Sequence, residues 1–165
     1  HPYSRRHVIT TWNPEFMGEI CDINENPNTP TPCHTSFAQF SVSSSGLLSM
    51  LSVQRSADML LGVPHNWIQS WAFLLWLCAQ TDYTSGDLTW VFGDAHIYCE
   101  PSHIEVVNQM RYWLDNTTPG SLTPPRLVYN GKPGDKFKAA DFEMVGEIPE
   151  PTITARPTLV FRSLQ

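Results

Sequence analysis

The sequence predicts a mixed α/β domain of the α+β type, with a mixed β-sheet packed against helices. Three observations carry this. Short β-branched or alternating runs recur along the chain. Two longer stretches have helical character. The length, 165 residues, is one domain's worth of chain. The single domain is expected to span residues 1–165.

The elements follow in order. Residues 7–12 are rich in β-branched side chains and stop at Asn13-Pro14, so they read as a strand. Residues 15–32 are polar, with Asn and Pro clustered at 24–32, and read as a long loop. Residues 35–42 and 47–53 alternate polar and apolar around Ser43-Ser44-Ser45-Gly46, the pattern of a hairpin. Residues 66–80 are apolar on nearly every helical face, which predicts a helix buried all round. Residues 88–91 read as a further strand. In residues 102–114, Ile104, Val107, Met110, Arg111 and Leu114 fall about one turn apart, as in an amphipathic helix. Extended runs at 126–129, 142–145 and 158–161 close the chain.

Charge narrows the function. Ten basic residues against sixteen acidic ones give a net charge of −6. That balance argues against duplex nucleic acid or an anionic membrane as partner. The longest apolar run, residues 67–79, is shorter than the ~20 residues that span a bilayer. No apolar leader opens the chain, and it does not begin with Met, so it is expected to begin in mid-protein. Cys21, Cys33, Cys78 and Cys99 form no Cys-x-x-Cys pair. They read as reduced thiols in a cytoplasmic protein, with no metal expected. Asn116-Thr117-Thr118 fits a glycosylation sequon, which such a protein would carry by accident.

Four places carry chemistry. Cys33, between Pro32 and His34, could be presented to a cleft, where a nearby cation or base would make it a thiolate nucleophile. A small buried apolar residue is its ordinary alternative. Gln54-Arg55-Ser56-Ala57-Asp58 follows an apolar strand; Arg and Ser together suit a phosphate, whereas a salt bridge from Arg55 to Asp58 is the plain alternative. In Gly62-Val63-Pro64-His65-Asn66 a helix begins. Asn66 either caps it or turns its amide, donor and acceptor together, to a uracil edge. In Gly93-Asp94-Ala95-His96-Ile97-Tyr98, His96 and Tyr98 are two apart on an extended segment, on one side, where they suit a sugar or a half-buried strand alike.

These blocks, in this order, resemble the thymidylate synthase family. The likeness begins at Pro2-x-Ser4-Arg5-Arg6 and Trp12-Asn13. It continues through Pro32-Cys33-His34, Gln39-Phe40, Gln54-Arg55-Ser56-x-Asp58, Leu61-Gly62-x-Pro64-x-Asn66 and Gly93-Asp94-Ala95-His96-Ile97-Tyr98. It ends with Phe137-Lys138-Ala139-Ala140-Asp141-Phe142, so it covers nearly the whole chain. The resemblance implies a homodimer joined sheet to sheet and a folate-dependent methyltransferase. Cys33 would add to C6 of deoxyuridine monophosphate, and C5 would take a one-carbon unit from 5,10-methylene-tetrahydrofolate as co-substrate, giving thymidylate and dihydrofolate.

The family also implies roles for single residues. Arg55 and Ser56 would hold the 5′-phosphate, joined by Arg5 and Arg6 from the partner subunit. Asn66 would read the base, and His96 and Tyr98 the deoxyribose hydroxyl. Asp58, Leu61, Gly62 and His65 would meet the folate. Gln54 and His34 would order the surroundings of Cys33 and O4. Five features depart from the family pattern, among them a longer loop over 14–32 and one extra residue between Asn66 and Ser70. The family's amino-terminal part is absent from this sequence. His65 stands where Phe is usual. Residues 161–165 continue past the usual end. Two alternatives follow: hydroxymethylation of a uracil or cytosine nucleotide through the same adduct, and a non-catalytic or split-chain nucleotide-binding homologue.

Overall fold

The computed structural model describes residues 1–12, 35–118, 123–146, 155 and 157. Its mixed α/β elements run β1 (Val8–Ile9), β2 (Phe37–Val42), β3 (Leu47–Asp58), α1 (Gly62–Thr81), β4 (Thr84–His96), α2 (Pro101–Asn116), β5 (Arg126–Tyr129) and β6 (Phe142–Val145). A short 3₁₀ turn, Ala139–Asp141, precedes β6. The chain divides into two compact units. One holds residues 1–57, 83–96 and 160–165; the other holds 58–82 and 97–159.

The first unit is built on a four-stranded sheet in the order β1-β2-β3-β4. The expected hairpin is present: β2 and β3 pair antiparallel from Phe37↔Val53 to Val42↔Leu48. Gly46 takes a φ of 81° in its turn, a conformation that a side chain would strain. Alternation then works as expected. Leu48, Met50, Ser52 and Gln54 are buried on one face of β3, with Ala38 and Phe40 on β2. Beside β3, the amide of Thr84 donates to the Gly46 carbonyl at 3.1 Å, Gly86 lies against Leu48, and Gly93 lies against Arg55. These contacts advance together along both strands, so β3 and β4 run parallel. Parallel neighbours need a long connection, which α1 provides in the chain. The strand expected over 7–12 is only Val8–Ile9, paired to Gln39 and Ala38. Thr10 and Thr11 turn their hydroxyls to backbone carbonyls instead of extending the ladder.

The second unit contains both helices and the β5-β6 hairpin, paired from Arg126↔Val145 to Tyr129↔Phe142. β5 packs on α1. Phe73 and Trp76, one turn apart on α1, stack at 5.9 Å between ring centres, and Phe137 meets both edge-on. Phe142 joins Phe137 to Tyr129. Polar ties hold the same region: Trp76 Nε1 donates to the Asp135 carbonyl at 3.0 Å, and the Gly134 amide donates to Gln80 Oε1 at 2.6 Å.

Two helix expectations are corrected. α1 is not buried all round: Val63, Asn66, Ser70, Ala72, Leu74 and Cys78 are buried, but Trp67 is 59% exposed. Apolar content had masked a one-sided helix. α2 buries His103 and Val106, while Ile104, Met110 and Leu114 are exposed. A polar ring on the inner face hid the true stripe. The strand expected over 158–161 lies outside the described residues.

Candidate active site

In the first unit the phosphate-suited block lies within β3, not after it, because the strand continues to Asp58. Gln54 is buried; its Nε2 donates to the Ser56 carbonyl at 2.9 Å, and its Oε1 is buried without a hydrogen bond. Arg55 is exposed. Its guanidinium carbon lies 5.5 Å from the centre of the Trp12 ring, and it donates no hydrogen bond and forms no ion pair with a described residue. The salt bridge considered for Arg55 is therefore replaced by an aromatic face, and no described residue occupies the donor edge of the fork. A Cβ on Gly93 would stand 2.9 Å from the Arg55 carbonyl oxygen, so β4 can approach this point only as glycine.

Arg5 and Arg6 are also exposed and form no ion pair among the described residues. His96 ends β4, and its Nδ1 lies 3.3 Å from the Asp94 carbonyl and 3.4 Å from Asp94 Oδ2, which assigns the proton to Nδ1. Cys33 and His34 lie outside the described residues, but the two residues that follow them are tied to residues just past the end of β1. Thr10 Oγ1 donates to the Ser36 carbonyl at 2.6 Å, and Thr11 Oγ1 donates to the Thr35 carbonyl at 3.0 Å. Thr35, next after His34, has a φ of 53°. A β-branched residue rarely adopts that conformation, and such outliers concentrate at functional sites.

In the second unit, Asp58, Leu61, Gly62, His65 and Asn66 gather at the start of α1. Asp58 Oδ1 accepts from the amides of Leu60 and Leu61 at 3.0 and 3.3 Å, which supplies the helix entry. His65 Nδ1 donates to the Leu61 carbonyl at 2.7 Å. Because α1 begins at Gly62, Leu61 is the N-cap, which rules out the capping alternative for Asn66. Asn66 sits in the second turn, 9% exposed, and its side chain makes no hydrogen bond with a described residue. A nearly buried amide without partners is uncommon in a folded chain.

Tyr98 belongs to this second unit, beyond the end of β4. Strand alternation therefore does not place it on one side with His96, as expected from the sequence. Its ring meets His103 edge-on at 5.5 Å. Cys78 is buried, and burial pushes its thiol above the usual range, which suits an inert packing residue; Cys99 is exposed. Among the described residues no cluster of His, Cys, Asp or Glu could hold a metal ion, and no helix is long and apolar enough to cross a membrane.

The sequence profile of the family described as Thymidylate synthase matches residues 1–159. The chain belongs to the thymidylate synthase family. Thymidylate synthase from Listeria monocytogenes is 40% identical over 159 residues, covering 94% of this chain and 44% of that protein. Thymidylate synthase from Cereibacter sphaeroides is 32% identical over 155 residues, covering 94% and 47%. The chain thus spans about half the length of these curated relatives. The fold is similar to that of thermostable thymidylate synthase A from Bacillus subtilis, with a TM-score of 0.67, 24% identity, and coverage of 97% of this chain and 50% of the other.

Two side chains of this thymidylate synthase family member were not read as site residues. Trp12 belongs to a block that carries the family resemblance, but only its contact with Arg55 shows what it touches. His103 is fully buried with neither ring nitrogen hydrogen-bonded to a described residue, and only its packing on Tyr98 draws attention to it. Neither signal is visible in spacing.

Proposed function

We propose that this chain transfers a one-carbon unit to C5 of deoxyuridine monophosphate through a cysteine adduct at C6, yielding thymidylate and dihydrofolate. In this reading residues 1–165 act as one functional domain, a thymidylate synthase-type methyltransferase. The observation that carries it is Asn66. An amide that does not cap its helix and bonds to no described residue offers one donor and one acceptor. Uracil presents the complement, an acceptor at O4 and a donor at N3.

The remaining roles follow residue by residue. The Cys33 thiolate adds to C6, which makes C5 a carbon nucleophile. Gln54 and His34 order the polar groups around that centre; the open Gln54 Oε1 has the capacity for it. Arg55 and Ser56 hold the 5′-phosphate with a fork of donors and a hydroxyl. His96 and Tyr98 bind the sugar hydroxyl. Asp58, with Oδ1 engaged by two amides, keeps Oδ2 for the N–H groups of a pterin ring, beside Leu61, Gly62 and His65. The folate, when bound, supplies the methylene carbon and the hydride that completes the methyl group. Loss of the C5 proton would expel the folate nitrogen and leave a methylene on C5; hydride delivery to that carbon would then expel the Cys33 thiolate from C6 and release the product.

The mode of phosphate binding is directly testable. Arg55→Ala is expected to weaken binding of deoxyuridine monophosphate by roughly 10- to 100-fold, the size of a charge-assisted contact of about 1.5–3 kcal/mol. Calorimetric titration with the nucleotide checks this, and unchanged affinity rejects the role.

Arg5 and Arg6 serve the site of a second copy in this reading, which makes the working form a homodimer. Their exposure without ion pairs supports it. Sedimentation velocity at micromolar concentration is expected to show a dimer, and a monomer alone overturns this part.

A further inference from the structure

Trp12 lies in a block that carries the family resemblance, yet none of the roles above uses it. We propose that Trp12 is a positioning residue: its indole face holds the Arg55 guanidinium in plane, so that the donor edge is already aimed outward for the phosphate. The inference rests on the reading of Arg55 as a phosphate ligand.

An exposed arginine has many rotamers, and fixing it on binding costs affinity. Arg55 has no hydrogen bond and no ion pair among the described residues to fix it. The Trp12 ring, 5.5 Å from the guanidinium carbon, is the contact that does. A cation over an aromatic face engages the plane of the guanidinium and leaves its five N–H groups around the rim. An acidic partner would instead consume that rim and compete with phosphate.

The ring has a stiff mount. The Trp12 amide donates to Thr10 Oγ1 at 3.2 Å, and that hydroxyl donates in turn to the Ser36 carbonyl at 2.6 Å. Thr11 adds a second tie, to Thr35. The Arg55 backbone is held from its other side by the close approach of Gly93. Both ends of the stack are thus fixed before any anion arrives.

The test compares Trp12→Leu with Trp12→Phe. Leucine keeps apolar bulk without a ring face; phenylalanine keeps the face. Dissociation constants are measured by titration for deoxyuridine monophosphate and for deoxyuridine, which lacks the phosphate. Trp12→Leu is expected to weaken the nucleotide about two- to fivefold, the equivalent of ~0.5–1 kcal/mol for an exposed cation–π contact, and to leave the nucleoside unchanged. Trp12→Phe is expected to stay closer to the unsubstituted protein. Equal weakening of both ligands indicates a merely structural role and overturns the proposal, as does leucine performing as well as phenylalanine. If the leucine variant does not fold, Trp12→Met carries the same comparison. Arg55→Ala separates the two levels: if that variant binds the nucleotide normally, the phosphate reading of Arg55 fails. If it binds weakly while both ring-deleting variants bind normally, the positioning role fails alone.

Discussion

Cys33→Ser is expected to leave less than about a tenth of the turnover while nucleotide affinity stays within a few-fold. The reason lies in ionisation. An ordinary cysteine has a pKa near ~8.5 and is within reach of a thiolate at neutral pH, whereas a serine hydroxyl is not ionised there. Attack at C6 needs the anion, so exchanging sulfur for oxygen removes the step that makes C5 reactive. Binding is expected to respond differently, since the proposed reading assigns phosphate, base and sugar to other groups. Steady-state rates and a nucleotide titration on the same preparation separate the two effects. A serine variant that keeps more than a tenth of the activity removes Cys33 as nucleophile. The three competing cysteines are distinguishable: Cys78 is buried with its thiol pushed up, and Cys21→Ser and Cys99→Ser provide the controls.

Asn66→Asp is expected to shift preference from the uracil towards the cytosine nucleotide. In the proposed reading the Asn66 amide gives a hydrogen to O4 and accepts one from N3. Cytosine reverses both groups, so donor meets donor. A mismatched buried pair costs about 1–3 kcal/mol, or roughly 5- to 150-fold in discrimination. A carboxyl group at the same place accepts from the exocyclic amine and, if protonated, donates to N3. A capping role for Asn66 would have made the exchange nearly silent, because Asp caps about as well. The helix start at Gly62 removes that alternative. Specificity constants for both nucleotides, measured on both proteins with folate present, decide it. A change in their ratio of less than about threefold means that Asn66 does not read the base.

The strands and the hairpin were legible because side-chain alternation has a short period and Gly46 marks the turn. Helix positions were legible, but their faces were not. α1 is so apolar that sequence offers no contrast between its sides, although Trp67 is largely exposed and Ser70 is buried. In α2 the buried stripe includes His103, which polarity alone assigns to solvent. Two boundaries bear on the candidate site. β3 runs four residues past Gln54, which puts Arg55 within a strand beside Trp12 instead of in a connection. α1 starts four residues before Asn66, which turns a candidate cap into an amide with no hydrogen bond to a described residue. Boundaries depend on tertiary contacts that local propensity does not encode. The family, by contrast, was legible from the order of motif blocks, and the match over residues 1–159 bears it out.

The most direct measurement is the mass of the nucleotide product. The 165-residue protein is incubated with deoxyuridine monophosphate and 5,10-methylene-tetrahydrofolate, and dihydrofolate is followed by its absorbance. Methylation through Cys33 predicts a nucleotide heavier by one CH₂ unit, dihydrofolate in equal amount, and neither with Cys33→Ser. A product heavier by CH₂O without dihydrofolate, or no substitution at C5 when both substrates saturate, contradicts it.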